Sequence, residues 1–527
     1  MKFLGFNIGG TTTKTDKIKA RSGSSTPLFS VSFDGEQTSG GLGTPIKYDL
    51  DYNGLRLRSW ESYLTSPTTQ TVIKKFTLWV IGSGLKLQSE PIESILKSKN
   101  ITINPNELTR DIESRFKVYS NSKTTDYSEI KTLDKLAKTA YINSIVGGDV
   151  LIVLRYEKGN LNVQLIDGSS VVTPVWNDEV GKAANRGNKI KNGVEVDKRG
   201  RQVAFHVKTG PFESTRILAK GKANKEQEMA FLVCGLEYRL DDNRGLPLFS
   251  AVLETITKIE RYRNAVVDGA EERAKVPYFI EHDLGSTGEN PMAANLSKAF
   301  NIDADQEIAT DIDGNALANN VATSMNKMVY NMPQGSTMKA IESKGETNFA
   351  SFYTPNVNAI CSTIGIPPDV AFSKYDSNYS ASRAAIKDWE HTLLVTRKDF
   401  SAQFYEKIYE FWLDMEVHKQ NIQINGYINA LAKKDNIILA AFRNARFVGA
   451  NVPHIDPLKE VQAERLKLGN SADSIPFTTV EAATEALNGG DSQSNVKQYA
   501  KELEDAKELG VEFIINQPQE ETKKTEE

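Results

Sequence analysis

The chain contains two cysteines, Cys234 and Cys361, far apart and without a CxxC partner. That scarcity excludes a disulfide framework and gives no support to a structural zinc site. Long apolar runs are also missing: the stretch from Val72 to Leu87 is broken by Lys74, Lys75, Gly82 and Gly84. It falls short of the roughly 20 apolar residues a membrane span requires, so no membrane association is expected. The first residues, MKFLGFNIGG, carry one lysine and a brief apolar patch, with no cleavage site of the signal-peptide kind. Basic excess is lacking as well. A formal net charge of -4 argues against a protein that coats nucleic acid by neutralising phosphates, although it is compatible with one that lets DNA slide past. The five histidines, at 206, 282, 391, 418 and 454, show no metal-ligand spacing. Walker A, GxSxG and HExxH patterns are absent, and no carboxylate cluster stands out, so neither a catalytic residue nor a cofactor or metal site is expected.

What is present is a 527-residue chain, 39% hydrophobic and 25% charged, long enough to bury a sizeable core in several subdomains. Gly, Ser and Thr dominate up to about residue 49, which predicts a flexible arm. LRSWESYLT and SPTTQTVIKKFTLWVIGSG predict two short helices, the second capped by Ser66 or Thr68 and ended by Gly82 and Gly84, with a strand to follow. Leu133 to Val146 reads as a helix. GGDVLIVLRYEKGNLNVQLID reads as a hairpin turning at Lys158, Gly159 and Asn160, and RQVAFHVKTG and MAFLVCGLEYRL read as further strands.

Beyond Asp241 helices take over. Leu248, Val252, Ile256, Ile259 and Val266 recur at helical spacing and predict one long helix from Leu248 to Arg273. A turn-rich module continues to Gly345. Phe349 to Ile364 resumes a helix that GIPP closes, a loop follows to Ser380, and Ser380 or Ser382 caps a helix reaching about Val417. Shorter helices are expected at 427–447, 456–468, 479–487 and 496–509, and the charged tail PQEETKKTEE is expected to be disordered.

Three local patterns are weighed for chemistry. FNIGGTTTK is superficially similar to the phosphate turn of actin-like sugar kinases, but Asn7 stands where a carboxylate belongs; a Gly/Thr arm is the plainer reading. Asp311, Asp313 and Gly314 lack the remaining ligands of an EF-hand and read as a turn. Lys374, Tyr375, Asn378, Tyr379 and Arg383 gather cationic, aromatic and amide groups in one loop between helices, a set suited to phosphates and sugars rather than to base edges.

Taken in order, NRGLPLFSAVLETITKIERYRNA and STIGIPPDVAFSKYDSNYSASRAAIKDWEHTLLVTRKDF resemble the portal proteins of lambda-like tailed phages. Gly365, Ile366, Tyr375, Tyr379, Ser380, Ala381, Ser382, Arg383 and Ala384 fill the family pattern that opens its tunnel loop and the helix after it. More diffuse similarity runs from Asp49 to Leu468, while the N-terminal arm and the last fifty or so residues depart from the family.

The resemblance implies a mainly helical α+β portal fold with wing, stem, clip and crown, closed into a ring usually of twelve subunits. Carried onto this chain it implies a flexible arm at 1–48, a wing at 49–241, stem helices at 242–273 and 346–366 around a clip at 274–345, and a tunnel loop at 367–381. A long wing helix at 382–426, crown and C-terminal helices at 427–517 and a tail at 518–527 complete the assignment. The implied role is a non-enzymatic head-tail connector at the capsid vertex of the virion, assembled in the host cytoplasm, for DNA packaging and ejection. Its implied partners are further copies of itself, the large terminase, major capsid and scaffolding proteins, head completion proteins, and double-stranded DNA without sequence specificity. Lys374, Tyr375, Asn378, Tyr379 and Arg383 become candidate channel residues. An actin-like ATPase and a ring-forming tail protein stand as the alternatives.

Overall fold

The computed structural model describes residues 29–31, 48–157, 159–174, 179–221, 227–237, 243–275, 278–280, 321–324, 327–331, 349–373, 379–450, 457–469, 475–488, 490 and 492–508. The chain forms two compact units, Met1–Ala251 with Ile364–Glu527, and Val252–Thr363.

In the first unit, β1 (Phe29–Val31) pairs antiparallel with β2 (Tyr48–Leu50), Phe29 facing Leu50. This corrects the expectation of an arm without packed elements over 1–48: Phe29, Val31 and Phe33 alternate with serines, a period-2 pattern hidden among Gly and Ser. The two helices expected next are α1 (Tyr52–Thr65) and α2 (Pro67–Val80). The Asp51 carboxylate accepts from the Gly54 N–H at 2.9 Å and starts α1; Ser66 caps α2, with Pro67 in its first turn. Gly82 at φ +59° ends it ahead of β3 (Lys86–Ser89). Then come α3 (Glu93–Ser98), α4 (Pro105–Asn121) and α5 (Leu133–Gly147).

The hairpin forms as its alternation predicts: β4 (Asp149–Glu157) pairs with β5 (Asn160–Asp167), Glu157 opposite Asn160, with Gly159 at φ +82° in the turn. The helix α6 (Glu179–Asn185) precedes a four-stranded antiparallel sheet of β6 (Lys189–Lys191), β7 (Val194–Val196), β8 (Gln202–Lys208) and β9 (Ser214–Leu218). β10 (Ala230–Cys234) lies along the other edge of β4, giving the order β10-β4-β5. Leu151 and Val153 on one face of β4 pack with Val194, Phe205, Val207 and Leu232 between the two sheets. The opposite face is covered by α5, so β4 is buried on both sides.

The second unit holds α7 (Leu253–Lys275), a small sheet ordered β11 (Tyr278–Ile280), β13 (Lys327–Asn331), β12 (Val321–Ser324), and α8 (Phe349–Ile364). The α7 start differs from the expected Leu248. Residues 248–252 are turns, with Ser250 N–H bonded to Pro247 O and Leu248 N–H to Ile145 O, which takes them out of the helix. Tyr262 on α7 lies 4.5 Å from Phe352 and 5.8 Å from Phe349 on α8, ring centre to ring centre, and so joins the two helices. The turn at Asp311, Asp313 and Gly314 lies outside the described residues, as do the FNIGGTTTK turn and the charged C-terminal tail.

The first unit resumes with α9 (Pro368–Phe372) and α10 (Tyr379–Gln403). The single helix expected to run to Val417 is two: the chain breaks at Phe404, φ −114° and ψ −66°, and α11 (Tyr405–His418) follows. Aromatic packing accounts for the break, since Phe404 and Tyr405 are both fully buried with ring centres 5.2 Å apart. Next come α12 (Tyr427–Lys433), α13 (Asn436–Arg443) and β14 (Ala445–Val448). β14 pairs antiparallel with β3, closing the chain back on its N-terminal part. Phe116, Tyr405, Tyr409, Trp412 and Phe447 form the aromatic core behind that pairing. The last helices, α14 (Pro457–Lys467), α15 (Val480–Asn488) and α16 (Ser492–Glu508), fall close to the expected positions. Among the described residues, no helix is long and apolar enough to cross a membrane.

Candidate functional site

The loop singled out by its composition is built from two anchored ends. Gly365 at φ +82° closes α8, and Pro367 with Pro368 starts α9, whose Val370 and Ala371 are buried against α2. Ser373, left-handed at φ +54°, ends that short helix, and its hydroxyl accepts from Lys75 Nζ of α2 at 2.7 Å. The loop's far side is fixed to the same helix. Trp389 of α10 is fully buried, edge-on to Phe76 of α2 with ring centres 5.0 Å apart.

Arg397, further along α10, donates to Trp79 O (2.8 Å), Val80 O (3.2 Å) and Ala450 O (2.7 Å). It thereby satisfies carbonyls at the end of α2 that the helix itself leaves open. Burial lowers the Arg397 pKa from its usual value, an effect that the carboxylate of Glu485 opposes. The described ends on either side, Ser373 and α10, are therefore both held on α2.

Of the candidate residues, Lys374, Tyr375 and Asn378 lie outside the described residues. Tyr379 opens α10, and Arg383 stands one helical turn later, exposed, without a bonded partner among the described residues. Ser380 and Ser382 lie inside the first turn of α10 and do not precede it as caps, which corrects the expected start. No group of three or more His, Cys, Asp or Glu among the described residues is placed to hold a metal ion.

A second arrangement escaped the sequence reading of roles. Arg244, 4% exposed, uses all five of its N–H donors. Nε and Nη2 bind the two oxygens of Asp149 at 2.6 and 2.7 Å; Nη1 reaches Val171 O and Asn192 O, and Nη2 also reaches Gly168 O at 2.6 Å. Arg56 of α1 binds the same carboxylate. Burial acts to lower the Arg244 pKa, and the adjacent Asp149 more than offsets this and raises it. Gly245 cannot carry a side chain, because a Cβ there would sit 2.1 Å from Gly148 O. The NRG stretch is thus a clasp joining the start of β4 to the loops around it. Its sequence signal was an acid at the head of an otherwise apolar strand, GGDVLIV.

A third polar cluster surrounds Glu195 of β7, fully buried. Arg216 donates to it at 2.6 and 3.1 Å, Asn188 at 2.7 Å, and the buried His206 ring lies 3.3 Å away. Desolvation works to raise the Glu195 pKa, yet these donors and the Arg186 charge bring it down to about 2. Burial lowers the His206 pKa against the pull of Glu195. None of these residues gave a functional signal in the sequence, and their geometry is that of a folded core.

Among solved structures, similarity is distant. A chain from the neck of an empty gene transfer agent particle computed with C6 symmetry shares 12% identity, with 83% of this chain and 94% of that chain covered at a TM-score of 0.43. One from the neck of the native particle computed with C12 symmetry shares 11%, with 82% and 92% covered at 0.41. The family described as phage portal protein, lambda family, matches residues 45–397, a span that begins after the GGTTTK turn and contains both the Arg244 clasp and the anchored loop. With about two thirds of its length matched, the chain belongs to the lambda family of phage portal proteins.

Proposed function

We propose that this chain is the subunit of a closed ring, of about twelve copies as the family resemblance implies, that forms the head-tail connector at a capsid vertex. Duplex DNA would pass through the ring during packaging and ejection, and energy would come from a partner terminase, in keeping with a sequence that carries no Walker A motif. The supporting observation is the family match over residues 45–397.

On this reading residues 49–241 form the wing, α7 and α8 are the stem helices, and the segment between them is the clip on which the motor docks. Residues 367–381 are the tunnel loop, and the helices beyond 427 build towards the crown. Two ends fixed on α2 suit such a loop, because they hold its position in the subunit. A chain of net charge -4 also suits a conduit, since without a basic excess it does not hold back a sliding polyanion. Capsid, scaffolding and head completion proteins are the remaining partners of this proposal, and the assembled virion is its location.

Negative-stain imaging of the purified protein provides the test. Rings with a central channel of duplex width are expected. A uniformly monomeric protein that binds and turns over ATP, with turnover abolished by a point change in the chain, would overturn the assignment.

A further inference from the structure

Charge is unevenly placed along this chain. Residues 182–220, which hold the end of α6 and the whole β6–β9 sheet, contain ten lysines and arginines against three acids, a formal +7 inside a chain of -4. Two of the acids are spent internally. Glu195 is buried beneath Arg216, Arg186 and Asn188, and the Asp197 carboxylate is taken up by its own turn. One Asp197 oxygen accepts from the N–H groups of Arg199 and Arg201, both at 2.9 Å, and the other from Arg201 Nε at 2.8 Å. The third acid, Glu213, lies in the β8–β9 turn at the opposite end of the sheet.

The β7–β8 turn is thereby held closed, with Gly200 at φ +81° and its N–H on Asp197 O, and it presents Lys198 and Arg199, both exposed, at its tip. Lys198 Cε lies 3.4 Å from where a Cβ on Gly187 would sit, so the lysine stem runs back over the α6–β6 turn. That brings it towards Lys189, exposed at the start of β6 and paired with Val196. On the other side of the same end, Ala219 N–H donates to Val203 O, which places the exposed Lys220 just beyond β9; the carboxylate opposite it, Glu228, is paired with Lys407 at 3.0 Å. With neighbouring strands about 4.8 Å apart, the cations from β6 to β9 spread over about 14 Å. The side chains of Lys189, Lys198 and Arg199 have no carboxylate partner among the described residues.

We propose that this end of the β6–β9 sheet is a sequence-independent contact for the phosphates of duplex DNA, separate from the loop at 374–378. A spread of about 14 Å matches a major groove about 12 Å wide, so the cations reach the phosphates on both of its edges. Exposed lysine and arginine side chains on a fixed turn position a backbone without reading bases. Local composition decides against a protein as the occupant, a second copy included: interface cores are enriched in aromatic residues and depleted in lysine, whereas between Val180 and Phe212 no large apolar side chain is exposed. The choice of DNA among polyanions rests on the connector reading.

The probe is a relaxed, closed circular duplex, which cannot thread a preformed ring, titrated with the full-length protein in a filter-binding assay. Binding is expected, falling linearly on logarithmic axes as salt rises from about 50 to about 200 mM. Lys198→Gln with Arg199→Gln keeps the hydrogen bonds of the turn, since Asp197 is held by backbone N–H groups and by Arg201. That variant should bind at least fivefold more weakly at the lower salt, with a salt slope flatter by about 1.8, the share of two phosphate contacts. The charge-conserving exchange Lys198→Arg with Arg199→Lys should restore binding, and Lys189→Gln, on a different strand, should weaken it at least twofold. No binding of the circle by the parent, or equal binding by the neutralised variant, overturns the site. Equal competition by poly-glutamate, or self-association of the parent that the neutralised variant loses, would assign the turn to an acidic protein face and overturn it as well. Ring formation is read separately by negative stain, so this inference and the connector reading fail independently.

Discussion

Arg244 and Arg383 belong to the two stretches that carry the family resemblance, and the structure treats them in opposite ways. Arg244 is 4% exposed, with its five donors divided between Asp149 and three backbone carbonyls. Arg383 is exposed on α10 and bonded to nothing among the described residues. A family signature is therefore of two kinds. In the NRG stretch the Arg244 cation serves the fold, since its donors are saturated by its own chain. The Arg383 side chain itself stands outside the core, as a contact residue of the proposed channel would.

Arg244→Met breaks this comparison most strongly. Removing one member of a buried ion pair leaves charge and carbonyls unmatched, a loss of about 3–5 kcal/mol. Thermal or urea unfolding should show that destabilisation, whereas Arg383→Met should stay within about 0.5 kcal/mol of the parent. Equal effects of the two would erase the distinction. Arg397→Met comes next, because it unties α10 from the end of α2 and strips donors from three carbonyls. A loss of about 1–3 kcal/mol is expected, together with faster proteolysis of the 374–378 bridge.

Glu195 sharpens the contrast through pH. Its folded pKa of about 2 lies below its ordinary 4.5, so the stability it contributes is complete above pH 4.5 and is lost as pH falls towards 2. The lowered His206 pKa acts in the same direction, withdrawing stability below its ordinary 6.5. In Glu195→Gln the decline between pH 4.5 and 2 should flatten when unfolding midpoints are plotted against pH. An unchanged acid limb would show that the Arg216 and Asn188 contacts do not persist in solution.

The sequence disclosed these regions unequally, for physical reasons. Periodicity placed α5, the β4–β5 hairpin and α8, because each has one dominant apolar pattern and a clear stop, such as Gly159 or Gly365. It missed the break at Phe404, since apolar spacing runs unbroken from Ile386 to Phe411 while the interruption comes from how Phe400, Phe404 and Tyr405 pack in three dimensions. Arg244 stands in the NRG stretch, but its role is illegible there: its partners lie 95 residues away at Asp149, and 76 and 73 away at Gly168 and Val171. The loop's candidate residues come from composition alone, and three of them, Lys374, Tyr375 and Asn378, lie outside the described residues. Its anchorage is not legible in the sequence, because Lys75 and Ser373 are 298 residues apart.

The smallest expected effect on folding is also the most direct test of what the loop does. Ser373 is tied to Lys75 and α10 is tied to α2 through Trp389 and Arg397, so neither Lys374 nor Tyr379 is needed to hold the ends of the bridge. Lys374→Glu combined with Tyr379→Ala should therefore leave the unfolding midpoint of the subunit within about 2 °C of the parent, as expected for surface changes. Function should respond differently. A cation near the phosphates attracts them without regard to sequence and in proportion to the ionic atmosphere it displaces, and one contact of this kind is weak. A ring of the proposed kind would repeat it around the duplex, so a charge reversal in every subunit would turn many small attractions into many small repulsions. Particles assembled with the double substitution should form in normal number yet hold shorter or less stably retained DNA, with the defect growing as salt is lowered and the repulsion is less screened. Full-length genomes retained through dilution into low salt would remove the loop from DNA handling and reduce it to a connection between α9 and α10.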